Sequence, residues 1–231
     1  KLKPMSTRAK IVFRISYLIL LFIAFTNKQG VSQACKYGSS VEDATKLCNF
    51  HQGKNFASNK DAETALDKVL AVTGMSKRYV LLPCSEIENC MATSYKGIRY
   101  ILYDPEFMVK ISTYTSDWSG LAILAHEIGH HVNGHAVDAS ITANRPSLRD
   151  SREMELEADE FSGFVMYKLG ASLSDAQRAV NLIASDGDDS SSTHPSRQKR
   201  LLAISKGYNR AAQSSNPNMS NLEPEDVWLE R

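Results

Sequence analysis

Leu121–Asn133 reads LAILAHEIGHHVN, and the fold is read outward from this stretch. It holds His126-Glu127-x-x-His130 inside an apolar run with helical spacing. On an α-helix, residues four apart lie about 40° apart round the axis and roughly 6 Å along it. Two imidazoles so placed can grip one ion, and Glu127, next to the first of them, can reach a water on that ion. Leu121, Leu124, Ile128 and Val132 fall at helical spacing on the side away from the histidines. The expected helix, beginning near Ser116 or Ser119, is core on one side and metal site on the other. Gly129 suits a close backbone approach and Gly134 a helix stop.

With 231 residues, 42% of them hydrophobic, the chain can bury one sizeable core and still carry appendages. Its 27 basic and 26 acidic residues nearly cancel, and no basic stripe with interleaved aromatics occurs. Both facts argue against a nucleic-acid partner. Near the start, Lys1, Lys3, Arg8, Lys10 and Arg14 precede an eleven-residue apolar run, Ile15–Phe25. That run is short for a bilayer span. Basic residues, a short apolar core and then small residues have the build of a secretory signal peptide, with Ser32-x-Ala34 as the cleavage site. The expected organisation is a signal peptide over 1–34, a domain over 35–207 and a polar tail over 208–231 anchored by Trp228. The address is exported, periplasmic or secreted. The lesser alternatives are lipidation at Cys35 or an uncleaved N-terminal anchor, and peripheral contact with a membrane is a further expectation.

Four cysteines, Cys35, Cys48, Cys84 and Cys90, all lie upstream of the histidine motif. In an exported protein an even number suggests two disulfides, most simply Cys35–Cys48 and Cys84–Cys90, although four cysteines allow three pairings. Between Lys36 and Asn59 the sequence is polar and irregular, with His51 read as a surface residue. Asp61–Thr73 has the period of a helix stopped by Gly74. Tyr79–Leu82 reads as a buried strand ended by Pro83, and Gly97–Tyr103 as a second strand. Glu106–Ile111 fits a helical turn. A strand just before the histidine helix could pair with an extended peptide and hold it across the metal.

Downstream, Ser147–Leu169 reads as a long helix stopped by Gly170, with Met154, Ala158, Phe161 and Val165 as its apolar stripe. Glu155 and Asp159, four apart, share the face beside that stripe. A carboxylate there could complete a two-His, one-Glu zinc site, and an Asp could orient a ligand imidazole. Glu153, Glu157 and Glu160 crowd the same helix, so on residue type alone a solvated acidic face also accounts for it. Ser174–Gln177 has the form of a capping box opening a helix through Ala184. Asp186–Ser192 reads as a flexible acidic loop, and Pro195–Lys206 as a helix closed by Gly207. His131 and His135 are read as bystanders.

H-E-x-x-H followed by Ser151-Arg152-x-x-Glu155-x-x-Ala158-Asp159 resembles the HtpX/CAAX-prenyl-endopeptidase family of gluzincin zinc peptidases. Ser192-Thr193-His194-Pro195, with Arg200 six residues past the His, is a third family-like element. The resemblance spans roughly residues 80–205. It implies an α+β, mostly helical zincin-like domain with a small sheet edge beside the active-site helix. It selects Glu155 over Glu157 as the third ligand of one zinc ion per chain, with His126 and His130, and puts Asp159 behind a ligand. It also places His194 near the zinc, able to gate the site, and makes His194 and Arg200 candidate donors to the oxyanion. Relatives have a longer Gly-rich hairpin before the motif helix, and many have transmembrane helices. The expected function is an exported zinc endopeptidase acting on unfolded or misassembled envelope or secreted protein, with Glu127 as general base. The alternative is an envelope chaperone or assembly factor that binds unfolded peptide with little turnover.

Overall fold

The computed structural model describes residues 60–85, 87–95, 97–136 and 147–215. The expected signal peptide, the Cys35–Cys48 pairing, His51 and Trp228 lie outside these residues. Within them are six helices and three strands: α1 (Lys60–Thr73), β1 (Tyr79–Pro83), β2 (Cys90–Tyr95), β3 (Ile98–Tyr103), α2 (Pro105–Tyr114), α3 (Asp117–Val132), α4 (Leu148–Lys168), α5 (Leu173–Ile183) and α6 (Arg197–Ser215). The mostly helical α+β architecture expected from the sequence is the one observed. Among the described residues, no helix is long and apolar enough to cross a membrane.

The sheet order is β1–β3–β2, with β1 parallel to β3 and β2 antiparallel to it. The sequence pattern puts the strand beside the motif helix at 97–103 and shows none at 90–95. In the structure β3 is central and paired on both sides, so the edge nearest α3 belongs to β2. Gly97, at φ 76, closes the turn between β2 and β3. This order also overturns a Cys84–Cys90 disulfide. Cys84 donates its N–H to the Tyr103 carbonyl from one side of β3, at 2.8 Å, while Cys90 pairs with Tyr103 from the other. Two strand spacings, on the order of 9–10 Å, separate them, beyond the roughly 7 Å Cα reach of a disulfide. Cys90 is a free, buried thiol, and Cys84 is disulfide-bonded, but not to Cys90.

α3 is the axis of the domain. Ser116 stands at its N-cap and Gly134, at φ 78, follows its end. Every residue from Ala122 to His131 is buried, so the helix is enclosed all round rather than core on one side only. Val132, expected on the core stripe, is 44% exposed. The sheet covers one side of α3, and α4 and α5 pack on others. Gly129 allows the α4 contact, since a Cβ there would lie 3.1 Å from the Ala158 Cα.

α4 begins with a reciprocal cap, in which Ser147 accepts from the Asp150 N–H and Asp150 accepts from the Ser147 N–H. Its buried face runs through Ser151, Glu155, Ala158, Asp159, Ser162, Val165 and Met166, so its polar site residues lie within the buried stripe, while Met154 and Phe161 are only half-buried. α5 is capped by Ser172, two residues before the expected box. α6 does not stop at Gly207 but runs to Ser215. The glycine is there because α4 and α6 cross almost backbone to backbone. A Cβ on Gly163 would run into the Ile204 carbonyl, and one on Gly207 into that of Glu160. Neither obstacle is a side-chain end that can swing away. Gly163→Ala and Gly207→Ala are expected to lower stability by about 1–3 kcal/mol each, measured by urea unfolding. Unchanged midpoints would show that the helices part freely.

Candidate metal centre

Three buried side chains converge where α3 meets α4. The Nε2 atoms of His126 and His130 face one another at 3.0 Å. Glu155, 0% exposed, sets Oε2 3.4 Å from His126 Nε2 and Oε1 3.5 Å from His130 Nε2. One donor atom from each lies within 4.8 Å of the others. Neither Glu155 oxygen has a hydrogen-bond partner, and a buried carboxylate so placed is costly without a cation. Two imidazole nitrogens and one carboxylate are a donor set that fits a divalent transition metal with a coordination position left over. The structure thus brings together the three residues expected as ligands.

Behind His126 the geometry is fixed by charge. Asp159 Oδ1 lies 2.9 Å from His126 Nδ1, and a carboxylate can only accept there, so the ring donates from Nδ1 and turns Nε2 to the site. Asp159 in turn takes Arg200 Nε at 2.7 Å and Nη2 at 2.8 Å. Burial alone would raise Asp159, but the Arg200 guanidinium outweighs it and holds the carboxyl below its usual range. Arg200, expected as an oxyanion donor, thus supports Asp159, and its Nη2 also lies 4.0 Å from Glu155 Oε2. It is 2% exposed, with its guanidinium turned to the Asp159 carboxylate.

The same balance sets the other groups. Burial opposes charge on His126, yet Asp159 and Glu155 outweigh it and raise the ring to about 10. Burial, added to by His126 and only partly offset by Glu155, lowers His130 to about 4. Glu155 is pushed up by burial but held well below the usual carboxylate range by the two imidazoles. Burial, with the Glu155 charge adding to it, raises Glu127 to about 8. Glu127 accepts the Ala92 N–H of β2 at Oε2, at 2.7 Å, while its Oε1 has no hydrogen-bond partner.

His194 is brought to the same place by the segment between α5 and α6. Its Nε2, buried and without a hydrogen-bond partner, lies 3.8 Å from Glu155 Oε2. The acidic stretch read as a flexible loop is instead tied down. Arg152, one turn before Glu155, donates Nη1 to the carbonyls of Asp189, Ser190 and Ser192 at 3.1, 3.4 and 2.9 Å. Asp189 accepts the Ser196 N–H at 2.8 Å and pairs with Lys199 at 3.1 Å.

Two participants escaped the sequence reading. Ala92 gave no signal, because its part is played by a backbone N–H. His135, read as a bystander, lies with Nδ1 3.0 Å from His130 Nδ1. His131 does point away, its Nε2 2.9 Å from the Tyr100 carbonyl.

A buried His-His-Glu set is shared between an H-E-x-x-H helix and a second helix, beside a small sheet edge, and could hold a metal ion. The model of peptidase family M48 matches residues 139–207, in agreement with the HtpX/CAAX-type resemblance. The matched residues include Glu155, Asp159, His194 and Arg200 but begin after H-E-x-x-H, so the two signatures support one another independently. Members of the family are metal-dependent peptidases, which supports a hydrolase here. Comparisons with curated proteins and with solved structures gave no match.

Proposed function

We propose that the protein is a zinc-dependent endopeptidase of exported or envelope proteins, acting on unfolded or misassembled chains. The observation that carries the reading is the pair of unpartnered Glu155 oxygens facing two imidazole nitrogens in a buried site. His126, His130 and Glu155 would hold the ion. Zinc bound there supplies a water of lowered pKa and a Lewis acid for the scissile carbonyl. Glu127 would take a proton at Oε1, the oxygen that Ala92 leaves unoccupied, and return it to the leaving nitrogen. His194 offers Nε2 to the charge that develops on the carbonyl oxygen. The β2 edge, whose Ala92 N–H already reaches Glu127, holds the substrate backbone extended by strand pairing. An extended backbone is available in unfolded chains and scarce in folded ones, which supports the substrate class. The N-terminal sequence pattern supports the exported address.

The test is cleavage of a denatured, reduced model protein by the purified chain. Cleavage is expected to stop on chelation and to return with added zinc, at one zinc per chain by elemental analysis. Binding of the same unfolded protein with no turnover at full zinc loading would favour the chaperone reading instead. Turnover indifferent to the chelator would end the zinc assignment.

A further inference from the structure

We infer that His135 and Glu157 form a relay behind His130 that fixes which nitrogen of that ring is offered to the metal. The inference rests on the reading of His126, His130 and Glu155 as metal ligands. The local chain makes the contact. After α3 ends, Gly134 turns the backbone at φ 78, and the His135 N–H donates to the carbonyl of His130 itself at 2.8 Å. That return brings His135 against the rear of His130, with ring centroids 5.3 Å apart and Nδ1 to Nδ1 at 3.0 Å. The far nitrogen of His135 lies 2.8 Å from Glu157 Oε2 on α4. The His135 side chain is 6% exposed, and that of Glu157 61%.

The proton positions follow from the carboxylate. Glu157 in its charged form can only accept, so His135 carries its proton on Nε2. A neutral imidazole has one proton, which leaves His135 Nδ1 as an acceptor. The short Nδ1–Nδ1 contact then requires His130 to donate from Nδ1, which leaves its Nε2 lone pair directed at His126 and Glu155. The opposite arrangement would put a proton on His130 Nε2 and remove it as a ligand. Each imidazole is thus set from α4: His126 directly by Asp159, His130 through His135 by Glu157. On that helix Glu155 is the ligand, and Glu157 and Asp159 are orienting groups. His135 and Glu157 touch neither metal nor substrate and are positioning residues.

The test is zinc affinity by competition with a chromophoric chelator, together with the visible spectrum of the cobalt-loaded protein. His135→Phe removes the acceptor behind His130 and is expected to weaken zinc about 10- to 100-fold and to shift the cobalt bands. His135→Asn, whose Oδ1 can take the place of Nδ1, is expected to restore most of the affinity and the spectrum. Glu157→Ala is a change at an exposed side chain that leaves folding intact, and it is expected to weaken zinc in the same direction by a smaller factor. If the wild type, His135→Phe and Glu157→Ala bind zinc equally and share one cobalt spectrum, the relay is overturned while the metal site stands. If the wild type itself takes up no stoichiometric zinc, the ligand reading fails and the relay with it.

Discussion

Glu127→Gln is expected to cut peptide cleavage by about 10²- to 10⁴-fold while one zinc per chain is retained. The factor is that of a positioned general base removed from a proton transfer. The substitution is nearly isosteric, and the glutamine carbonyl can still accept the Ala92 N–H that Glu127 accepts at 2.7 Å. The buried pocket around the side chain is therefore kept, and none of His126, His130 or Glu155 changes. What is lost is a group that can take a proton at Oε1. Parallel measurement of turnover and metal content separates this from damage to the site. A variant that cleaves at the wild-type rate would remove Glu127 from the mechanism, and one that loses its zinc would show a structural task instead.

Arg200→Ala carries the second large effect, on stability. Arg200 and Asp159 are 2% and 1% exposed and make a two-pronged ion pair beneath His126. Removing one partner of a buried pair leaves the other as an uncompensated charge, at a cost of about 3–5 kcal/mol. Denaturant unfolding of the variant is expected to show that loss. Asp159→Asn with Arg200→Ala should recover part of it, because the orphaned charge is then gone as well. A loss below about 1 kcal/mol for Arg200→Ala would mean that His126 or water already satisfies Asp159, and the support assigned to Arg200 would be withdrawn.

The parts of this site that sequence disclosed are those whose spacing is itself the structure. His126, Glu127 and His130 lie on one helix, where four residues make one turn; Glu155 and Asp159 repeat that relation on another, but among its crowded acidic residues only the family resemblance singled them out. Their meeting needed only two helices in contact, and Gly129 marked the place. Features set by a neighbour were not visible. Gly207 has the same identity whether it ends a helix or lets another backbone pass, and only Glu160 on α4 decides between the two. β2 is built of small and mixed residues without clean alternation, so it emerges from pairing with β3 and not from its own pattern. The Cys84–Cys90 pairing looked simple along the chain because sequence does not show that β3 runs between them. His135 depended on a turn whose glycine was noticed but whose direction was not.

The enclosure of α3 bears on how the molecule moves. A helix buried from Ala122 to His131 has no solvent face along which to slide or rotate, so the turn bearing the histidines is a fixed frame and access to it is a matter for its surroundings. Its amides are expected to exchange only when the domain unfolds as a whole. The segment carrying His194 is held instead by side-chain bonds from Arg152 and Asp189, and the half-buried strand edge at β2 completes the surround. In the proposed peptidase, substrate entry and product departure then fall to this periphery and not to the helix that carries the histidines.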